Sequence, residues 1–205
     1  MTDGVFLPTL CGTGSDVLIG VVDFIHQAVV KSVWTPERIR RVYARRTVRQ
    51  ILADGDTLAF GPCPDRTLVA CAILHRHGIR PVVVYHERRV PGFGPSTAHL
   101  ALEVEVGGAD YTVDFGSHET RLVPGGYTYD PAIEETILLK RLEIPVGADA
   151  LTTITPGEVM AAVATERIQV DRKFEYYEKQ AERYRGRVPE ERLALDVKHS
   201  IHREL

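Results

Sequence analysis

The clearest regularity along the chain is the alternation from His99 to Val106. Leu100, Leu102, Val104 and Val106 fall on one side of an extended backbone, and His99, Ala101, Glu103 and Glu105 on the other. Gly107-Gly108 follows as a two-residue hairpin signal, and a second alternating run carries Tyr111, Val113 and Phe115. With the two glycines as the loop, Val106 pairs with Ala109 and Ala101 pairs with Asp114. His99 and Asp114 then share a face as diagonal neighbours, about 7 to 8 Å apart along the backbone. A four-residue loop preserves that shared face, whereas a three-residue loop puts the two residues on opposite faces.

Helical periodicities surround this hairpin. Residues 16–31 carry Val17, Leu18, Val21, Val22, Phe24, Ile25, Val29 and Val30, too broad an apolar surface for an exposed helix, so the segment is expected in the core. A second helix is predicted from Thr35-Pro36, an N-cap followed by proline in the first turn, to a stop near Gly55. Its Arg38, Arg41, Arg45 and Arg49 form a basic stripe, read as a solvated face that pairs with acidic residues elsewhere. After Gly61-Pro62-Cys63-Pro64-Asp65 comes Leu68 to Leu74, apolar all round and therefore a central buried helix, with His75-Arg76-His77-Gly78 as its basic last turn and glycine C-cap. His75 and His77 point about 200° apart on a helix and are poorly placed to share a metal ion.

A strand from Pro81 to His86 leads into a glycine- and proline-rich stretch, Arg88 to Thr97, that suits a rim or lid. Beyond Asp114 shorter strands are expected, with Gly125-Gly126 as a turn and 137–144 readable as strand or helix. From Pro156 onward the chain is dense in charge. The expected organisation is a core over residues 1–155 and a charged helical segment over 156–205 that packs on the core, covers a cleft or pairs two copies as a homodimer.

The 205 residues, 44% hydrophobic and 26% charged, suit an ordinary globular protein long enough to bury a core. A net charge of −3 gives no reason to expect nucleic acid or an anionic membrane as partner. Without a basic leader or an apolar stretch near the roughly 20 residues needed to span a bilayer, the expected location is cytoplasmic. Three cysteines make no disulfide framework. Cys71 lies about 12 Å along the helix from Cys63, too far for a bridge, and reads as a small core residue. No role is assigned to Cys11.

Cys63 is the cysteine with chemical promise. At the N-terminus of a helix, unpaired N–H groups and the helix dipole favour thiolate over thiol. With His99 as base and Asp114 orienting the imidazole, the three residues make a candidate Cys–His–Asp triad for attack on an acyl carbon. The plain alternative is a buried cysteine, a strand histidine and a surface aspartate. The Cys63 N–H is the expected oxyanion donor, with Thr57 as a second candidate.

Gly61-x-Cys63-x-Asp65, the apolar helix ending in Leu74-x-x-x-Gly78-Ile79, His99-x-x-x-Glu103-Val104 and Val113-Asp114 resemble the core motifs of transglutaminase-like cysteine proteins of the papain-like superfamily, over about residues 47–116. The resemblance implies an α+β fold with a central helix packed on an antiparallel sheet, flanked by helical N- and C-terminal segments. It also implies Cys63 as nucleophile, His99 as base and Asp114 as its partner. Ala101 stands where the family often has tryptophan, and Phe115 where proline is commoner. His99-x-x-Leu102-x-Val104 with Val113-Asp114-Phe115-Gly116 looks like arylamine N-acetyltransferases. The expected activity is hydrolysis of a peptide or other amide, without metal or cofactor. Acyl transfer from a coenzyme A thioester or amide to an amine is the alternative, and a catalytically inactive binding module on the same scaffold is a third.

Overall fold

The computed structural model describes residues 7–10, 12–89, 97–116, 119–127, 135–144, 148–163, 179 and 201–203. The fold is α+β. Its centre is the helix α4, Cys63–Arg76, in which every residue from Cys63 to Leu74 is buried. A helix that is apolar all round has no face to give to solvent, so other elements must enclose it. Against it pack α1 (Ser15–Ala28), α3 (Val48–Asp54), α5 (Ala148–Leu151), α6 (Pro156–Val163) and two strands of a sheet, β4 (Thr97–Val106) and β5 (Ala109–Phe115).

The sheet continues on both sides, with β3 (Val82–Arg89) and β7 (Glu135–Glu143) beyond β4 and with β6 (Thr120–Pro124) beyond β5. The order β7-β3-β4-β5-β6 is antiparallel throughout, and the short strand β8 (Ile201–Arg203) runs parallel to β6 at one edge. Leu100, Leu102, Val104 and Val106 enter the core as the alternation predicts. Register across the hairpin also matches, with Val106 opposite Ala109 and Ala101 opposite Asp114. Gly107 and Gly108 both have positive φ, 64° and 78°, which a two-residue turn of this hand requires and most side chains resist.

The predicted helix from Thr35 to Gly55 is two helices, α2 (Pro36–Val42) and α3. Thr35 caps the first as expected, but Tyr43 is extended and Ala44 has φ 56°, so the helical path stops there. Thr47 then starts α3 with a capping box, its side chain accepting from the Gln50 N–H while the Gln50 side chain accepts from the Thr47 N–H. Gly55, in the left-handed conformation, ends it where the sequence indicates. The break is used in packing. The Ala44 carbonyl accepts from the Gly157 N–H at 2.8 Å, and a Cβ on Gly157 would come within 2.7 Å of that same oxygen.

Between these helices, β1 (Val30–Ser32) pairs in parallel with β2 (Asp56–Leu58). Residues 137–143 lie in the strand β7. In α6, Pro156 is buried, and Val159, Met160 and Val163 join the same core. Residues 164–178 and 180–200 lie outside the described residues, as do Cys11 and most of the candidate rim, 90–96. Pairing of two copies through C-terminal helices falls there as well. Among the described residues no helix is long and apolar enough to cross a membrane.

Candidate functional site

Cys63 is the first residue of α4, preceded by Pro62 as N-cap and followed by Pro64 at the second position. The short strand β2 and the turn closed by Gly61 N–H to Leu58 O, at 3.1 Å, deliver the chain to that start. As the first helical residue, Cys63 has its N–H outside the helix's own hydrogen-bond ladder, in the region of positive helix potential. The residue is 6% exposed, recessed but not sealed.

Opposite it stand His99 on β4 and Asp114 on β5. Asp114 faces Ala101 across the ladder, so His99 is its diagonal neighbour, and His99 Nε2 bonds Asp114 Oδ1. His99 also lies near enough to Cys63 for the sulfur to act on its ring by charge and by hydrogen bonding. With Nε2 on the carboxylate, Nδ1 is the ring nitrogen left for the sulfur. Burial works against a charged ring, but Asp114 and Cys63, each acting by charge and by hydrogen bond, outweigh it and push the His99 pKa up to about 10. The ring, between a carboxylate and the sulfur, therefore holds its proton more tightly than a free imidazole. Cys71 shows the contrast: it is fully buried, and burial pushes its thiol up to about 12.

Beneath the start of α4 lies a buried polar network that no motif announces. Arg46, in the turn before α3, donates to Asp65 Oδ2, to Asp54 Oδ2 at 2.8 Å, to Asp56 Oδ1 at 3.2 Å and to the Asp56 carbonyl at 2.9 Å. Trp34 Nε1 and Arg38 Nη2 also donate to the Asp56 carboxylate, at 2.9 and 2.8 Å. Both guanidinium groups lie over the Trp34 ring, at 4.8 Å for Arg38 and 4.6 Å for Arg46. The Thr57 hydroxyl, a candidate oxyanion donor by sequence, donates to Asp65 Oδ2 at 3.1 Å from a fully buried position. It thus belongs to the support under Cys63. Arg38 of the basic stripe is bound into this network, while Arg41, Arg45 and Arg49 lie on exposed surface. Two residues after Cys63, Asp65 ties the helix start to α3 and β2. On the other side of α4, Arg66 donates to the Val29 carbonyl at 2.7 Å through Nη2 and 3.2 Å through Nε, joining α4 to the end of α1.

One further ring adjoins His99, and a second adjoins that one. His86 on β3 is its directly paired neighbour across the strands, with ring centroids 4.9 Å apart and planes at 61°. Tyr127, just after β6, stacks on His86 at 4.7 Å and shares a 2.9 Å hydrogen bond between its hydroxyl and His86 Nε2. The strand from Pro81 to His86 was legible in the sequence. Its alignment with His99 depends on the residues between β3 and β4 and carries no local signal. His77, at the end of α4, is engaged with the N-terminal segment through Pro8 O at 3.1 Å and Leu10 N at 3.3 Å. Among the described residues no group of three or more His, Cys, Asp or Glu side chains is arranged to hold a metal ion.

No protein-family model matches the chain, and comparison with curated proteins and with solved structures finds no match.

Proposed function

We propose that the protein performs thiol-dependent acyl chemistry, with hydrolysis of a peptide or other amide as the reaction. The observation that carries this reading is His99 bonded to Asp114 on the adjoining strand and facing Cys63 at the start of α4. The Cys63 thiolate adds to the amide carbonyl, forming a C–S bond and a tetrahedral oxyanion that the Cys63 N–H at the helix start stabilises. The oxyanion collapses and the C–N bond breaks, while His99 gives the Nδ1 proton to the departing amine. Water then attacks the thioester. Neutral His99 takes its proton, the C–S bond breaks, and the acid leaves behind thiolate and imidazolium. Asp114 keeps the ring oriented through its bond to Nε2.

A nucleophile at the start of a buried helix, with base and carboxylate on adjoining antiparallel strands, supports a transglutaminase-like core. The test is alkylation of the intact chain by iodoacetamide near neutral pH, read by peptide mass spectrometry. Cys63 is expected to react rapidly, Cys71 to stay unmodified, and His99→Ala to slow Cys63 by about 100-fold or more. An unchanged rate in His99→Ala sinks the reading. Incubation with cell extract, followed by mass spectrometry of the Cys63 peptide, would identify the acyl group it accepts.

A further inference from the structure

An imidazole on a strand turns about a broad, roughly two-fold χ2, so holding the one plane that meets two partners at once is favoured when a neighbour already closes the other orientations. At His99 the partners are Asp114 from β5 and Cys63 from α4, and the ring of His86 from β3 lies against it. His86 meets His99 at 4.9 Å and 61°, inside the range in which edge-to-face rings attract. It is itself fully buried. The Tyr127 hydroxyl bonds its Nε2, and the Tyr127 ring stacks on it.

Tyr127 is anchored in turn. Its N–H donates to Glu103 Oε1 at 2.8 Å, and Arg141 of β7 grips the same carboxylate with two hydrogen bonds, 2.8 Å from Nε and 3.0 Å from Nη2. These bonds run from the edge strand β7, across β4, to the segment after β6, and then back through Tyr127 and His86 to His99. We infer that His86, held by Tyr127, is a positioning residue that fixes the plane of the His99 imidazole so that one nitrogen meets Asp114 while the other meets Cys63. This rests on the thiol reading above. His86 touches no reacting atom; it acts through His99.

Alkylation of Cys63 as a function of pH reads this role, because an oriented imidazolium sustains the thiolate in acid, whereas any accessible thiol ionises in alkali. His86→Ala is expected to raise the thiol's ionisation by about one pH unit, reducing the Cys63 rate near pH 5 by between about twofold and tenfold while leaving it within about twofold near pH 10.5. Tyr127→Phe keeps the stacked ring and removes only the hydroxyl, and about a threefold loss near pH 5 is expected from it. It also carries the test if the alanine variant does not fold. Imidazole 15N spectra of His99 give an independent readout: a ring bonded on both sides in the wild type, and averaged nitrogens in the variants. Rates near pH 5 that stay at the wild-type value in both variants overturn this inference alone. A wild-type Cys63 without acid-range reactivity overturns the thiol reading as well.

Discussion

Replacing Asp114 with asparagine keeps the shape of the side chain and removes the charge that His99 faces. Moving an imidazole from 6.5 to about 10 corresponds to about 5 kcal/mol in favour of its charged form. Little of this is lost to screening, because the two side chains are only 14% and 13% exposed. Asp114 is the first of the causes that raise the pKa, ahead of Cys63, so its removal is expected to cost about 3 kcal/mol, in the range found when one partner of a buried pair is lost. The folded-state pKa is raised, so the stabilisation is fully present below about 6.5 and disappears as pH climbs through about 10. Urea unfolding of wild type and Asp114→Asn is therefore expected to differ by about 3 kcal/mol near pH 6 and by less than about 1 kcal/mol near pH 10.5. A difference that stays constant over this range would refute a charged His99.

Two other substitutions probe the frame around the site. Arg46→Met leaves the Asp54, Asp56 and Asp65 carboxylates without their shared cation and is expected to cost about 3 to 5 kcal/mol in thermal or chemical unfolding. Adding Asp65→Leu to it should recover part of that loss, because one buried charge goes with its partner. Gly107→Val forces a β-branched residue to φ 64° and is expected to cost about 1 to 2 kcal/mol by chemical denaturation.

The hairpin was legible because both of its determinants are local: an alternation of period two and a glycine pair that selects the turn. Parity then follows by counting, and His99 and Asp114 come together. The burial of α4 was equally legible, since Leu68 to Leu74 offers no polar side to solvent. The break between α2 and α3 was missed because arginine spacing suggested one helix, although Thr47-x-x-Gln50 is a capping box visible in the sequence. Arg46 is harder. In Arg45-Arg46 nothing local separates the exposed residue from the buried one; the distinction comes from Asp54, Asp56 and Asp65, carboxylates brought beneath it by folding. His86 and Tyr127 were illegible for a similar reason. Their places depend on how β3 aligns with β4, and on how Glu103 and Arg141 hold the chain after β6.

The site draws its parts from pieces of unequal sequence range. His99 and Asp114 belong to one tight hairpin, a structure that isolated chains close in about 1 to 10 μs. Cys63 arrives on a helix whose seat is built from α1, α3, α5, α6 and the sheet. A thiolate held by His99 would therefore exist only after the helix has docked on the hairpin. Buried thiols ordinarily lose reactivity as a chain folds, but in acid Cys63 would gain it. A brief pulse of alkylating reagent during refolding near pH 5 would then time the docking of α4 on the sheet from a single atom.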